Sequence, residues 1–167
     1  SVVPGGVEPR FKRVTDAGVL AAVRTRYALP PRFVLAVGTL EPRKNFSRLI
    51  GACAGLWRRN ELDADLVIAG RPGWLYDAIY DRVRREGAGD RVHFTGFIAD
   101  EDLPALYSLA NLLVYPSLYE GFGLPPLEAM ACGTPVVAAN NSSLPEAVGA
   151  AGLMAPAEDE AALAEAI

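Results

Sequence analysis

The sequence predicts an α/β protein with a Rossmann-like, doubly wound parallel sheet and helices on both faces. Short apolar runs alternate along the chain with segments whose apolar residues recur at helical spacing. Each run is interpreted as a strand that is buried on both faces. A repeating strand–helix order implies right-handed crossovers between parallel strands.

Five segments have the composition expected of buried strands. They are residues 33–37, 66–69, 92–95, 112–115 and 135–139. Residues 135–139 and 112–115 are short, but their lengths are within the usual range for strands. Five such strands separated by helices form a sheet of ordinary size.

Helical patterns fill the intervals between these strands. Val19, Leu20 and Val23 predict a short helix that Pro30 and Pro31 end. A second helix begins behind Asn45, a residue that favours the N-cap position. Its apolar stripe consists of Phe46, Leu49, Ile50, Cys53 and Trp57. Later helices are predicted near residues 75–87, 103–110, 125–133 and 156–167.

Length and composition exclude several classes of protein. The 167 residues allow one domain, and 51% apolar with 22% charged residues is typical of a globular chain. The net charge of −4 without a Lys/Arg block argues against a nucleic-acid partner. No apolar run is long enough to predict a transmembrane segment. Cys53 and Cys132 are not in a CxxC arrangement and are predicted to be reduced core thiols.

The N-terminal segment indicates how the chain is organised into domains. Residues 1–13 begin in Val-Val-Pro-Gly-Gly and are interpreted as a linker that enters a domain. Residues 14–167 are predicted to be that domain, cut short at its C-terminus. We therefore expect the chain to be a piece of a longer protein.

A pair of cations follows the first predicted strand. In open α/β sheets, ligands bind beyond the carboxyl ends of the strands. The loop there is Gly38-Thr-Leu-Glu-Pro-Arg43-Lys44-Asn45, without the GxGxxG fingerprint of redox Rossmann domains. Arg43 and Lys44 are either a solvated pair or a grip for a diphosphate, which charge-assisted hydrogen bonds would hold.

The fourth strand leads into a second candidate loop, Glu120-Gly-Phe-Gly-Leu-Pro-Pro-Leu-Glu128. The prolines suit the first turn of a helix, so Gly121, Phe122, Gly123 and Leu124 are expected to leave backbone N–H groups free for an anion. A carboxylate presents two acceptor oxygens and suits a vicinal diol. Glu128 is accordingly either a sugar ligand or an acid favoured by the helix dipole.

These motifs resemble a known family. The Glu120–Glu128 block within its Gly/Pro frame, the loop 38–45 upstream and Leu144-Pro-Glu146 downstream are similar to the donor-binding half of GT-B glycosyltransferases of family 4. The resemblance covers essentially the whole chain. It implies that residues 1–13 open a C-terminal domain whose acceptor-binding N-terminal partner domain is not part of this sequence.

The resemblance also implies roles for single residues. Arg43 and Lys44 would act on the donor diphosphate, and Glu120 would touch the transferred sugar as the third catalytic residue. The donor-binding set would be Gly38, Phe97, Ile98, Gly121, Phe122, Gly123, Leu124 and Glu128. In this set, Glu128 would hold the ribose, and the loop of Phe97 and Ile98 would cover the base.

For the protein as a whole, the resemblance implies retaining transfer from a nucleoside diphosphate sugar to a glycan or lipid-linked acceptor. Neither a metal nor a cofactor is expected, because cations and helix amides can neutralise the departing phosphate. The isolated chain is expected to be inactive. The expected location is the cytoplasm, including the inner face of the membrane. A GT-B-like epimerase or phosphorylase, or a non-catalytic sugar-nucleotide-binding module, remains an alternative.

Two further features are set apart from the site, and a third bears on the identity of the donor sugar. Asp63-Ala-Asp65 matches a metal-binding pattern of other glycosyltransferases but precedes a strand, so it is interpreted as a solvated turn. His93 lies within an apolar strand and is predicted to be a satisfied core or edge histidine. Residues 141–144, Asn-Ser-Ser-Leu, stand where many relatives carry a Gly-Gly pair, which leaves the donor sugar open.

Overall fold

The protein, described here by a computed structural model for residues 6–167, contains a six-stranded, entirely parallel sheet. The strands are β1 (Phe33–Val37), β2 (Asp65–Ala69), β3 (Val92–Gly96), β4 (Leu112–Tyr115), β5 (Val136–Ala139) and β6 (Leu153–Ala155). Their order across the sheet is β3-β2-β1-β4-β5-β6. The chain reverses its direction of growth between β1 and β4, which are neighbours and form the topological switch point.

Residues 6–167 contain seven α-helices. They are α1 (Ala17–Arg26), α2 (Phe46–Arg58), α3 (Asp77–Glu86), α4 (Leu103–Leu109), α5 (Leu124–Ala131), α6 (Leu144–Val148) and α7 (Glu160–Ala166). Of these helices, α2 to α6 connect successive strands, α1 precedes β1 and α7 follows β6. None of them, within residues 6–167, has the length and apolar composition of a membrane-crossing helix.

Each face of the sheet has its own hydrophobic core. Phe33 and Leu35 point into the core formed with α1, α4, α5 and α6. Val34 and Ala36, one residue along, point into the core formed with α2, α3 and α7. Because both faces are covered, β1, β4 and β5 are apolar at every position. Strand β3 lies at the edge of the sheet, contains His93 and Thr95 and is only partly buried, so the prediction that it is buried on both faces was wrong. The predicted doubly wound α/β fold is confirmed.

Two short elements were not predicted from the sequence, and two helix starts were predicted too early. Strand β6 and helix α6 were not predicted. Helix α7 begins at Glu160 behind Asp159, whose carboxylate accepts the N–H groups of Ala161 and Ala162, so its predicted start at residue 156 was too early. Helix α3 begins at Asp77, and Leu75 lies outside it with a φ of 52°.

Asn45 occupies the N-cap position of α2, as predicted, but its side chain does not cap the helix. Asn45 has left-handed backbone geometry, with φ 60°, and its side chain makes no capping hydrogen bond to α2. The amide instead donates to the carbonyls of Pro116 (3.0 Å) and Ala157 (2.8 Å). Asn45 therefore ties the start of α2 to the loop after β4.

The segment before α1 packs on the domain. Of the predicted linker, residues 1–5 lie outside the described residues. Phe11 is buried against Tyr107, with the ring centroids 6.1 Å apart. Arg10 donates to the carbonyl of Asp100, and the N–H of Val14 donates to Ser108. This segment is thus integrated into the core on the α4 side of the sheet.

The features set apart from the site lie at the amino edge of the sheet. Asp63 is exposed and pairs with Arg32, as expected of a solvated turn. Asp65, in contrast, is the first residue of β2 and pairs with Arg91 and with His93, so the turn interpretation was wrong for Asp65. His93 lies on edge strand β3, 2.8 Å from Asp65 Oδ2, and its prediction as a satisfied edge histidine is confirmed.

The cysteines also follow the prediction. Cys53 and Cys132 are free and buried, on opposite faces of the sheet. Within residues 6–167, no cluster of three or more His, Cys, Asp or Glu side chains could hold a metal ion.

Candidate donor-binding site

The loops that leave β1 and β4 meet at the switch point. After β1, Gly38 adopts φ 148°, and a Cβ atom there would lie 2.9 Å from Cε of Lys44. The absence of a side chain at Gly38 therefore lets the Lys44 chain run back across the strand end. A 3₁₀ turn, Pro42–Lys44, directs both cations toward the β4 loop.

Glu120 bridges the two cations. Its Oε1 lies 2.7 Å from Lys44 Nζ and its Oε2 lies 3.1 Å from Arg43 Nη1. Burial of Glu120 opposes ionisation, but the hydrogen bond and charge of Lys44 lower the pKa of this carboxyl below its ordinary value. Glu120 is therefore ionised at neutral pH and neutralises part of the positive charge of the loop.

The two cations differ in their surroundings. The Lys44 side chain is 10% exposed and also donates to the Tyr115 hydroxyl at 2.9 Å, whereas the Arg43 side chain is 41% exposed. Arg43 donates to the Tyr119 carbonyl and pairs with Glu41. Of the predicted pair, Arg43 is therefore the more accessible cation. Lys44 is buried and its ammonium group is paired with Glu120.

The start of α5 presents unpaired amides beside Glu120. Gly123 adopts φ 85°, with a Cβ position 2.6 Å from Cδ2 of Leu144, so only glycine fits there. No acceptor among the described residues receives the N–H groups of residues 121–124. Free N–H groups at the positive end of a helix attract an anion.

The loop after β5 holds Glu120 from the other side. Ser142 Oγ accepts the N–H of Glu120 at 3.1 Å, and Ser143 Oγ donates to the Glu120 carbonyl at 3.2 Å. Ser142 has a φ of 49°, a left-handed geometry that glycine adopts without strain. The hydrogen bonds of the two serine hydroxyls to the Glu120 main chain hold this turn in place, although Ser142 lacks the conformational freedom of glycine. The sequence singled out this loop but did not predict its contact with Glu120.

Glu128 lies apart from Glu120, on the first turns of α5. Its Oε2 accepts a hydrogen bond from the Tyr107 hydroxyl at 2.8 Å. Partial burial raises the pKa of Glu128, and the nearby charges of Glu8 and Asp100 act in the same direction. The two carboxylates therefore occupy different environments, one paired with cations and one with a neutral donor.

A cleft of about 430 Å³ extends from Gly38 past the ends of β2 and β3. Its walls are formed by Val37, Gly38, Thr39, Ala69, Gly70, Arg71, Phe97, Ile98, Asp100 and Leu103. Phe97 is 55% exposed at the rim, with the Arg71 guanidinium 4.1 Å from its ring centroid, and Ile98 is buried beneath. Gly38, Phe97 and Ile98 thus line one space, while Glu120 and residues 121–124 lie on the β4 side of Gly38.

Sequence reasoning missed the contribution of the β2 loop. Arg71 follows β2 in Gly70-Arg-Pro-Gly73, and Asp100 follows β3. Both could have been found with the same rule that located Arg43, because both stand just beyond the carboxyl ends of predicted strands. Tyr107 gave no such signal, since its place on α4 reads as an ordinary core residue.

Comparison with known families decides the relationship. A family model described as "Glycosyl transferases group 1" matches residues 24–167. The chain belongs to this family. It is 46% identical over 127 residues to O-antigen chain mannosyltransferase B of Escherichia coli, covering 76% of this chain and 33% of that protein. The group 1 chain thus spans about a third of the length of that relative.

Solved structures of larger proteins contain the same fold. Sucrose-phosphate synthase of Thermosynechococcus elongatus aligns with a TM-score of 0.79 and 36% identity, covering 98% of this chain and 41% of that one. HepE of Anabaena, in complex with UDP and glucose, aligns with a TM-score of 0.84 and 26% identity, covering 99% of this chain and 45% of that one. The group 1 domain accordingly has the Rossmann-like fold of GT-B glycosyltransferases.

Proposed function

We propose that this group 1 chain is the C-terminal, donor-binding domain of a family-4 glycosyltransferase. It would bind a nucleoside diphosphate sugar and present the sugar to a glycan or lipid-linked acceptor held by an N-terminal domain. The observation that carries the proposal is the meeting of Arg43, Glu120 and the unpaired amides of residues 121–124 at the switch point. The names of its relatives, a mannosyltransferase and a UDP-bound HepE, support a sugar-nucleotide donor.

The proposed pose places the donor along the carboxyl edge of the sheet. The base lies in the 430 Å³ cleft between Phe97 and Gly38, above Ile98. The diphosphate passes Arg43, with Lys44 behind it, and reaches the amides of residues 121–124. Glu128 accepts hydrogen bonds from the ribose hydroxyls, and Glu120 faces the transferred sugar. In this pose, Arg43 and the amides of residues 121–124 stabilise the leaving diphosphate, and the proposal requires no metal ion.

In the proposed reaction, the bond between the anomeric carbon and the diphosphate oxygen breaks, and the acceptor oxygen bonds to the anomeric carbon with retention of configuration. The acceptor proton passes to an oxygen of the leaving diphosphate. Glu120 is held in an ion pair by Lys44, which suits positioning and electrostatic stabilisation rather than nucleophilic attack. The chain alone would bind donor without turnover, in the cytoplasm or at the inner face of the membrane.

Titration calorimetry with UDP and GDP tests this proposal. Arg43→Ala removes charge-assisted hydrogen bonds of about 1.5 to 3 kcal/mol, so affinity should fall about tenfold to a hundredfold. Glu128→Ala should also weaken binding of nucleoside diphosphates. Arg59→Ala is the matched control, because Arg59 is an exposed arginine that pairs only with Glu61 at the far end of α2. Equal affinity of wild type and Arg43→Ala would contradict the proposal.

A further inference from the structure

Tyr107 is held rigidly in a position to act on Glu128. Its side chain, on α4, is fully buried, and its hydroxyl donates to Glu128 Oε2 at 2.8 Å. The Thr134 hydroxyl donates to the Tyr107 carbonyl at 2.6 Å, which fixes the main chain. The Phe11 ring packs against the Tyr107 ring. The direction of the Tyr107 hydroxyl is therefore set by packing on every side.

The hydrogen bond from Tyr107 leaves the Oε1 atom of Glu128 available to a ligand. Tyr107 occupies Oε2, and no described group donates to Oε1. A carboxylate that is held through one oxygen and open at the other is preorganised to accept hydroxyl groups. The other charged or titratable groups that act on Glu128 are Glu8, Arg10, Asp100 and Cys132. None of them makes a hydrogen bond to it.

We propose that Tyr107 is a positioning residue that orients the Glu128 carboxylate for the ribose hydroxyls of the donor. This inference rests on the proposed function, since it assumes that Glu128 meets the ribose. Tyr107 itself does not touch the donor. Without its hydroxyl, Glu128 would keep its place on α5 but lose the one hydrogen bond that fixes the carboxylate.

The pH dependence follows from the sign of each effect. Burial raises the pKa of Glu128, and the hydrogen bond from Tyr107 lowers it. The ionised form is an acceptor at both oxygens, whereas protonation turns one oxygen into a donor and weakens its acceptance of the ribose hydroxyls. Nucleotide affinity should therefore be lost as the pH falls through the pKa of Glu128, and Tyr107→Phe should move that loss to higher pH.

The test compares wild type and Tyr107→Phe by calorimetry with UDP and GDP over the acidic to neutral range. The acid midpoint of binding should rise by about one pH unit in the variant, since a hydrogen bond to a charged group corresponds to about a tenfold change in the ionisation equilibrium. A merely structural role would lower affinity equally at all pH values. An unchanged midpoint would overturn the inference.

The matched control is Tyr27→Phe. Tyr27 also donates from its hydroxyl to a carboxylate, that of Asp102 at 2.7 Å, which does not contact Glu128. The Tyr27 hydroxyl accepts the N–H of Ala99 as well, so the readout of this control is the acid midpoint and not the affinity itself. Substitution of Tyr27 should leave the acid midpoint in place, and an equal shift in this control would count against a specific role for Tyr107. Thr134→Val, which frees the Tyr107 main chain but keeps its hydroxyl, should give a smaller shift in the same direction as Tyr107→Phe.

A second measurement separates this inference from the proposed function. Carboxyl NMR titration of Glu128 in the free chain needs no nucleotide, and Tyr107→Phe should raise its pKa there as well. Failure of wild type to bind UDP and GDP, with that rise observed, would refute the donor role and leave the Tyr107–Glu128 coupling standing. Nucleotide binding without any rise in pKa would refute the coupling alone.

Discussion

At the scale of single residues, Glu120 and Lys44 form a buried ion pair, and removal of either partner should strongly destabilise the fold. Both residues are less than a tenth exposed, and Lys44 has the Tyr115 hydroxyl as its second partner. Transfer of two charges from water is costly, and their attraction offsets that cost only while both are present. The ion pair therefore acts as a unit that positions the β4 loop against the 3₁₀ turn.

Glu120→Gln should destabilise the chain by about 3 kcal/mol, because it leaves the buried Lys44 ammonium without a counter-ion. Urea unfolding checks this value. In the double variant with Lys44→Met, the loss should be clearly smaller than the sum of the two single losses, since no uncompensated charge remains. Additive losses would contradict coupling between the two side chains.

The same pair predicts a pH dependence of stability. The pKa of Glu120 is lowered in the folded chain from the ordinary 4.5. A carboxyl with a depressed folded-state pKa binds more protons when unfolded, so its contribution is present above about pH 4.5 and lost as the pH falls through the folded-state pKa. Unfolding free energy measured against pH should fall less steeply through this acid range in Glu120→Gln.

At the scale of elements, side chains from one loop hold the main chain of the next. Asn45 joins α2 to the β4 loop and to the loop before α7, and Ser142 and Ser143 join the β5 loop to Glu120. Beyond the strand ends, the backbone N–H and C=O groups of the loops no longer form hydrogen bonds to a neighbouring strand. These side chains supply hydrogen-bond partners in their place. The geometry of the donor site thus depends on residues that need not touch a ligand.

Asn45→Ala should lower the free energy of unfolding by about 2 kcal/mol, because it removes two hydrogen bonds and places alanine at a φ of 60°. Asn45→Gly loses the same hydrogen bonds without the backbone strain. Chemical denaturation should therefore rank wild type above the glycine variant and the glycine variant above alanine. A glycine variant less stable than the alanine variant would show that backbone strain at residue 45 is not a factor.

Element positions could be predicted from sequence wherever burial imposes a period. Strands β1 to β5 and helix α5 lie within about two residues of their predicted limits. Strand β6 is only three residues long, too short for any period to show. The role of the Asn45 side chain was misjudged because it is set by carbonyls that are distant in sequence. The Tyr107–Glu128 and Ser142–Glu120 contacts were missed for the same reason.

At the scale of the whole molecule, the sheet separates two edges with different contents. The carboxyl edge carries the 430 Å³ cleft, the bridged cations and the unpaired amides. The amino edge carries paired charges, such as Arg32 with Asp63 and Arg91 with Asp65. A parallel sheet collects every strand-to-helix loop at one edge, so the proposed donor site lies at that edge alone.

Hydrogen exchange with and without UDP or GDP should reveal this asymmetry. Bound nucleotide should slow exchange in residues 38–45, 96–100 and 116–124, because their amides become hydrogen-bonded or shielded. The amino-edge turns at residues 61–65 and 87–91 should exchange at unchanged rates and serve as the internal control. Uniform protection of both edges would indicate general stabilisation by ligand rather than a site at the switch point, and protection at the amino edge alone would place the nucleotide on the wrong side of the sheet.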